Sequence, residues 1–344
     1  GLDSPDSAER VSQSILRKLS EPFQLGEQKA YISASIGITL FPDDADNVET
    51  LLKNADQAMY AAKNQGRNRF NYFTPCMQEA ARNRMQLVTD LRDALSGQQF
   101  RLYYQPIVEL SSGRILKAEA LLRWHHPSRG LVSPAEFIPI SEDTGMIVEI
   151  GDWVFREAAQ QVARWRSVHG TEIQVSINKS PRQFRDELKP TSEWFDYLQG
   201  LGLNGDAITV EITEGLLLEA APYVSDKLLA FRDAGMQVSL DDFGTGYSSL
   251  SYLKKFDIDY LKIDQSFIQN LQADSHALAL CEAIIVMAHK LDMQVIAEGV
   301  ETQQQLDLLS SCGCDFAQGY LFSRPVPEEE FAQQFLAKSI CCDN

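Results

Sequence analysis

The sequence predicts an α/β protein: a (β/α)8 barrel with one antiparallel strand, preceded by a partial α/β unit and a linking helix. Three observations carry this prediction. After residue 100 an apolar stretch, a polar end and an amphipathic helix recur, with eight strand-like stretches in the order expected of a β/α barrel. The first two of these, "RLYYQPIV" and "ILKAEALLRW", are separated only by "ELSSGR". That is too short for a crossover helix, so they must pair antiparallel. Before residue 74 the strand-like stretches are few and short, so that unit looks incomplete.

In chain order, residues 1–73 form the small unit and read as helix, hairpin, helix and strand. "SAERVSQSILRKL" has helical periodicity, and "KAYISASIGITLF" alternates as a strand that "PDDADN" turns. "VETLLKNADQAMYAAKNQG" is an amphipathic helix with Gly66 placed as its stop, and "NRFNYF" is a short strand. Residues 74–99, with "MQEAARNRMQLVTDLRDAL", read as the linking helix. The barrel occupies 100–338, and its remaining strands are "IQVSINKS", "AITVEITE", "QVSLDD", "YLKIDQ", "QVIAEGV" and "DFAQGYLF". Helices such as "GDWVFREAAQQVARWRSV" and "ALALCEAIIVMAHKL" lie between them.

The 344 residues are 44% hydrophobic and 23% charged, an ordinary soluble composition. A net charge of −17 excludes broad binding to a nucleic-acid backbone, which needs a basic face. It leaves room for a small phosphorylated ligand held by local cations and metal ions. No apolar run is long enough to cross a bilayer, and the polar start "GLDSPDSAER" is no signal peptide, so a cytoplasmic location is expected for this stretch. The first residue is not Met, so the expectation is a piece of a longer chain, in which a sensor or membrane segment is conceivable. The six cysteines match no zinc spacing and read as free thiols; His125 and His126 read as loop residues.

The strand ends carry the chemistry. Each barrel strand delivers a polar residue at or near its C-terminal end: Gln105, Glu119, Asn178, Glu211, Asp241 with Asp242, Lys262 with Asp264, Glu298 and Gln318. That rim is where barrel active sites form. One acidic strand end, or the Asp-Asp turn of "VSLDDFGTGYSSL" alone, is unremarkable. Many carboxylates converging on one mouth are costly unless cations lie between them. An oxygen-only donor set favours hard ions, Mg²⁺ or Mn²⁺, and the adjacent aspartates suit a pair of them. Two chemistries fit an acidic metal cluster with one lysine. One is attack of metal-activated water on a phosphodiester, with Lys262 balancing charge. The other is proton abstraction beside a carboxylate, as in enolase-like barrels. The residue pattern alone leaves both open.

The motifs "YYQPIV", "AEALLRW", "SPAEFIPISEDTGMI", "SINKSPRQF", "VEITEG", "SLDDFGTGYSSLSYLKKFDIDYLKID", "IAEGVET" and "QGYLFSRP" stand in order over residues 85–338. This span resembles the EAL domain of bacterial cyclic di-GMP phosphodiesterases, a TIM-like barrel. Residues 1–73 resemble the C-terminal part of a GGDEF diguanylate cyclase domain, without its signature. The resemblance implies hydrolysis of cyclic di-GMP to linear pGpG with two divalent ions, and disfavours the enolase-like reading. It assigns Glu119, Asn178, Glu211 and Asp241 to the first ion and Asp242 to the second. It makes Lys262 the catalytic lysine that holds the attacking water, and Glu298 a general base or metal ligand. Glu214 is the residue that holds the "DDFGTG" loop. Asp264 and Gln318 fall at the rim near the water and metals, and Gln105, Leu122 and Arg123 where the nucleotide is contacted, Arg123 facing a phosphate oxygen. The bland readings are a helix-start acid for Glu214, a strand end for Asp264 and rim packing for Arg123.

Two residues depart from the family pattern. Lys179 replaces a small aliphatic residue and should point away from Asn178 at a packing cost. Lys117 stands where a glycine is frequent and shares strand parity with Glu119, which places it on the substrate side. The alternative to an enzyme is a catalytically silent receptor that binds cyclic di-GMP and signals to a partner; the complete acidic set with Lys262 favours the enzyme. The GGDEF-like part, lacking its signature, reads as a connector or regulatory remnant. Family resemblance also implies a homodimer, with 243–256 linking the dimer contact to the metal site.

Overall fold

The computed structural model describes residues 5–26, 28–186, 192–218, 222–244 and 256–337. The chain divides into two compact units, Gly1–Asp90 and Leu91–Asn344, and the division falls inside the helix Pro75–Ala94. In the first unit, β1 (Phe23–Leu25) and β2 (Gln28–Ala30) form an antiparallel hairpin. β3 (Ser35–Ile38) pairs in parallel with β4 (Arg69–Tyr72) across the helix Val48–Asn64. The expected single strand over 29–41 is therefore two short strands with different partners. Close packing explains the placement of β3: a Cβ on Gly37 would lie 1.9 Å from the Ala55 carbonyl oxygen, so only glycine lets this strand meet that helix. The helix starts at Asn47, whose side chain accepts from Thr50 N.

The second unit is the predicted barrel. Its strands are β5 (Phe100–Glu109), β6 (Ile115–His126), β8 (Gln174–Asn178), β9 (Ile208–Thr213), β10 (Gln237–Phe243), β11 (Tyr260–Ile263), β12 (Gln294–Ala297) and β13 (Phe316–Ala317). From β6 to β13 neighbours run parallel. β5 closes the ring antiparallel to both β6 and β13, as the short connection requires. Two short strands were not expected: β7 (Gly130–Val132) pairs with β6, and β14 (Val326–Pro327) with β5.

The pleat sorts the residues. On β5, Phe100, Leu102 and Tyr104 face outward, where Phe100 lies 6.0 Å from Trp153 and Tyr104 4.7 Å from Trp165 between ring centroids. Both tryptophans belong to the helix Ile147–His169, which buries Ile150, Val154, Ala158, Val162 and Trp165 at helical spacing and ends at Gly170 in the left-handed region, φ +61°. The opposite parity lines the interior: Gln105 and Ile107, Lys117 and Glu119, Gln174 and Ser176, Gln237 and Ser239, Tyr260 and Lys262. Ile107, Tyr260, Ile296 and Phe316 form a buried apolar cluster.

Several strands end sooner than their apolar runs. β11, β12 and β13 stop at Ile263, Ala297 and Ala317, so Asp264, Glu298 and Gln318 are the first residues beyond them. The backbone turns at these points: Asp264 caps the helix Gln265–Ile268, and Gly299 has φ +71°.

Lys117 corrects an expectation. Its parity is interior, as predicted, but it lies toward the opposite end of the barrel from the strand ends that carry the acidic residues, where the substrate is expected. Its Nζ donates to Gln174 Oε1 and, at 2.6 Å, to Tyr260 Oη, and sits 4.2 Å from the Tyr260 ring centre. Gln174 in turn donates to Gln237 Oε1. Gln174, Gln237 and Tyr260 are each the first residue of their strand, so this network closes the barrel floor. Lys179 does point away from Asn178: its Nζ lies 3.9 Å from the Trp194 ring centre, with Phe184 and Phe231 nearby.

Among the described residues no helix is long and apolar enough to cross a membrane. Of the segment 243–256, residues 245–255 lie outside the described part. Cys76, Cys281, Cys312 and Cys314 are free thiols, as expected. Burial pushes the Cys281 thiol up to about 11 and the Cys314 thiol up to about 12, whereas Cys76 is exposed. Only the thiolate alkylates, and a raised pKa lowers its fraction at any pH below that value. In a peptide-mapped iodoacetamide experiment on the native chain at pH 8, Cys76 should label readily. Cys281 and Cys314 should label only on denaturation. Native labelling of Cys314 at the rate of Cys76 would contradict the packing described here.

Candidate active site

At the C-terminal end of the barrel one lysine is surrounded by carboxylates. Lys262, 1% exposed, places Nζ 2.6 Å from Glu298 Oε1, 2.9 Å from Glu211 Oε2, 3.4 Å from Asp241 Oδ1 and 3.5 Å from Glu119 Oε2. Each comes from a different strand or strand end, β12, β9, β10 and β6. Glu119 is held further: Asn178 Nδ2 donates to its Oε1 at 2.8 Å and Gln318 Nε2 to its Oε2 at 2.7 Å. Gln318 also donates to Gln105 Oε1 at 2.9 Å, and Gln105 donates to the Ser323 carbonyl at 3.0 Å.

The protonation equilibria follow from these contacts. Burial disfavours a charged Lys262, but Asp241, Glu119, Glu211 and Glu298 outweigh it and hold the ammonium well above its ordinary pKa. For Glu119, burial is overcome by Lys262 and by the donors Gln318 and Asn178, so its carboxyl falls below the ordinary range. Glu211 lacks such amide donors. Burial and then the charge of Glu119 push it well above that range, despite Lys262. Burial likewise raises Glu298 to about 7, against the pull of Lys262.

Asp241 and Asp242 pose a geometric problem, because adjacent strand residues point to opposite faces. The structure solves it with a register break between β10 and β11 from Leu240 to Phe243, and with Asp242 in the left-handed region at φ +56°. The break brings oxygen atoms of Asp241, Asp242 and Glu298 within 4.8 Å of one another. Asp242 N donates to Asp241 Oδ1 at 3.0 Å. Glu214 is buried, and its Oε2 accepts from Gly244 N at 3.3 Å, at the start of the "DDFGTG" loop.

The oxygen-only donors of Asp241, Asp242 and Glu298 fit a hard divalent ion. So does Glu211 Oε1, a buried carboxylate oxygen with no hydrogen-bond partner among the described residues.

The remaining predicted residues are placed as follows. Leu122, Arg123, Asn178 and Glu211 line a cavity of about 320 Å³, and Gln105, Glu119, Glu298 and Gln318 line one of about 230 Å³. Arg123 NH1 donates to the Leu122 carbonyl, and its guanidinium lies 5.7 Å from the Tyr103 ring centre. Asp264 accepts from Ser266 N at 3.0 Å, so it carries the structural duty of a helix cap. Sequence reasoning missed Tyr320, Gln265 and Glu301, which line the smaller cavity. Tyr320 stands inside the quoted "QGYLFSRP", with Arg324 4.2 Å from its ring centre, but a rim aromatic has no signature of its own.

The sequence profile of the EAL domain matches residues 88–325, which is most of the chain. The chain belongs to the EAL domain family. The profile of the "Diguanylate cyclase, GGDEF domain" matches residues 2–69. Among curated relatives, the bifunctional diguanylate cyclase/cyclic di-GMP phosphodiesterase MucR of Pseudomonas aeruginosa is 39% identical over 329 residues, 95% of this chain and 47% of that protein. The cyclic di-GMP phosphodiesterase PdeR of Escherichia coli is 39% identical over 332 residues, 96% of this chain and 50% of that protein. The chain thus spans about half the length of the curated relatives it matches. The solved structure "PaMucR Phosphodiesterase, c-di-GMP complex" superposes with a TM-score of 0.67 at 39% identity, over 72% of this chain and 99% of that one.

The EAL barrel holds Glu298 through the turn that follows it. A Cβ on Gly299 would lie 2.6 Å from Gln265 Cβ, and the backbone there is left-handed. Gly299→Ala should therefore destabilise the chain by about 1–3 kcal/mol, read as a lowered thermal midpoint. An unchanged midpoint would show that this turn does not constrain Glu298.

Proposed function

We propose that the EAL barrel hydrolyses one phosphodiester bond of cyclic di-GMP to linear pGpG. The observation that carries this reading is the buried Lys262, set among Glu119, Glu211, Asp241 and Glu298 with Asp242 beside them. Names of relatives support it: MucR and PdeR carry cyclic di-GMP phosphodiesterase in their descriptions.

Glu119, Asn178, Glu211, Asp241 and Asp242 would hold two divalent ions, Mg²⁺ or Mn²⁺. When bound, such ions activate water and neutralise charge on the phosphoryl group. The chain's own residues supply the rest. Lys262 Nζ orients the attacking water and offers positive charge toward the phosphorus centre. Glu298, 2.6 Å from that ammonium, is placed to take the water's proton or to complete the ion shell. Hydrolysis then leaves a terminal phosphate on one guanosine and a free hydroxyl on the other. Gln318 and Gln105 hold Glu119 and the rim in place. Arg123 contacts a phosphate oxygen and Leu122 the nucleotide, while Asp264 bounds the rim. Glu214 positions the loop that carries Asp242 through Gly244 N.

The reading is tested by incubating the chain with cyclic di-GMP and Mg²⁺ or Mn²⁺ and following pGpG by chromatography. Wild type should yield product, and Glu119→Ala and Lys262→Met should each lose at least about a hundredfold in rate. Cyclic di-GMP bound but not cleaved by the wild type would instead support a receptor.

A further inference from the structure

Away from the mouth, the outer wall of the EAL barrel contains a second cavity of about 320 Å³. Small-molecule sites start at about this size. It lies between β5 and the helix Ile147–His169, and its lining includes Tyr104, Gln161, Glu157, Glu328, Trp153 and Arg101.

Two largely buried side chains there, Tyr104 and Gln161, make no side-chain hydrogen bond among the described residues, although neither polar group is fully sealed from the cavity. Tyr104 is 1% exposed and Gln161 5%. Buried polar groups are almost always paired, by protein, water or ligand. The lining carries two carboxylates, Glu157 and Glu328, and one guanidinium, Arg101. Arg101 donates from NH1 to the carbonyls of Gln98 and Phe100 at 2.8 and 2.7 Å, so its guanidinium is turned to the backbone. Glu157 and Glu328 lie near enough to Tyr104 for their charge to add to burial in raising its hydroxyl pKa, with Arg164 opposing them. The acids are not a metal centre: among the described residues, the one group of three or more close metal-type ligands is Asp241, Asp242 and Glu298 at the mouth. Trp153 and Phe100 add an aromatic wall.

We propose that this cavity binds a small primary alkylamine as its ammonium ion. Glu157 and Glu328 balance the charge, Tyr104 and Gln161 accept its N–H groups, and Trp153 with Phe100 covers the hydrocarbon. Tyr104 is followed by Gln105 on the opposite face of β5, so the site backs directly onto a strand that carries a mouth residue.

The test is a calorimetric titration of the 344-residue chain with 1-aminopentane, with 1-pentanol as the uncharged control. Saturable binding of the amine and none of the alcohol is expected. Glu157→Gln and, as an independent variant, Glu328→Gln should each weaken the amine about tenfold or more, with thermal midpoints checked for folding. Glu298→Gln should leave amine binding unchanged. The proposal is overturned by absence of saturable binding at millimolar amine, by equal binding of the alcohol, or by loss in Glu298→Gln with retention in the other two, which would place the amine at the mouth.

Discussion

The arrangement at the mouth depends on one interaction, the burial of the Lys262 ammonium inside the barrel. Removing an ammonium from water costs several kcal/mol even after relaxation. Here it is offset by four carboxylates within 3.5 Å. Those carboxylates would equally be costly without the lysine. The lysine and the acids are therefore mutually required, and the strand ends that carry them must keep their register. Five acids against one base still leave negative charge in excess. The excess falls unevenly: Glu119, with two amide donors, stays ionised, while Glu211 and Glu298 bind protons more readily.

The interior of the barrel is polar at both ends, with an apolar cluster contributing to its core. The floor network of Lys117, Gln174, Gln237 and Tyr260 ties together four strands. Lys117 keeps company with neutral acceptors and aromatic rings, and burial lowers its pKa to about 8. Lys262, two residues beyond Tyr260 on the same strand face, keeps company with acids, and its pKa moves the other way. Two interior lysines in one barrel thus carry opposite shifts because their partners differ.

Much of this was legible. Apolar runs with polar ends revealed the strands, and the six-residue connection after the first strand revealed the antiparallel closure. The acidic residues at successive strand ends revealed one mouth. What was not legible depends on backbone conformation that residue type does not specify. Asp242 reaches the acidic group only because of a register break and a left-handed φ. Lys117 has the right parity but the wrong height, and height in a barrel depends on which strands stand opposite. The strand "KAYISASIGITLF" splits because its two halves find different partners, which alternation cannot reveal.

The sequence by itself determined the period of the strands, the order of elements, the sign of the charge at the mouth and the residue types available there. These are local properties, carried by spacing and side-chain chemistry. Tertiary structure decided which carboxylates touch Lys262, which of them bind a proton readily, and that the second lysine closes the floor. Those outcomes turn on distances and burial between strands far apart in the chain, and such quantities exist only once the barrel has closed.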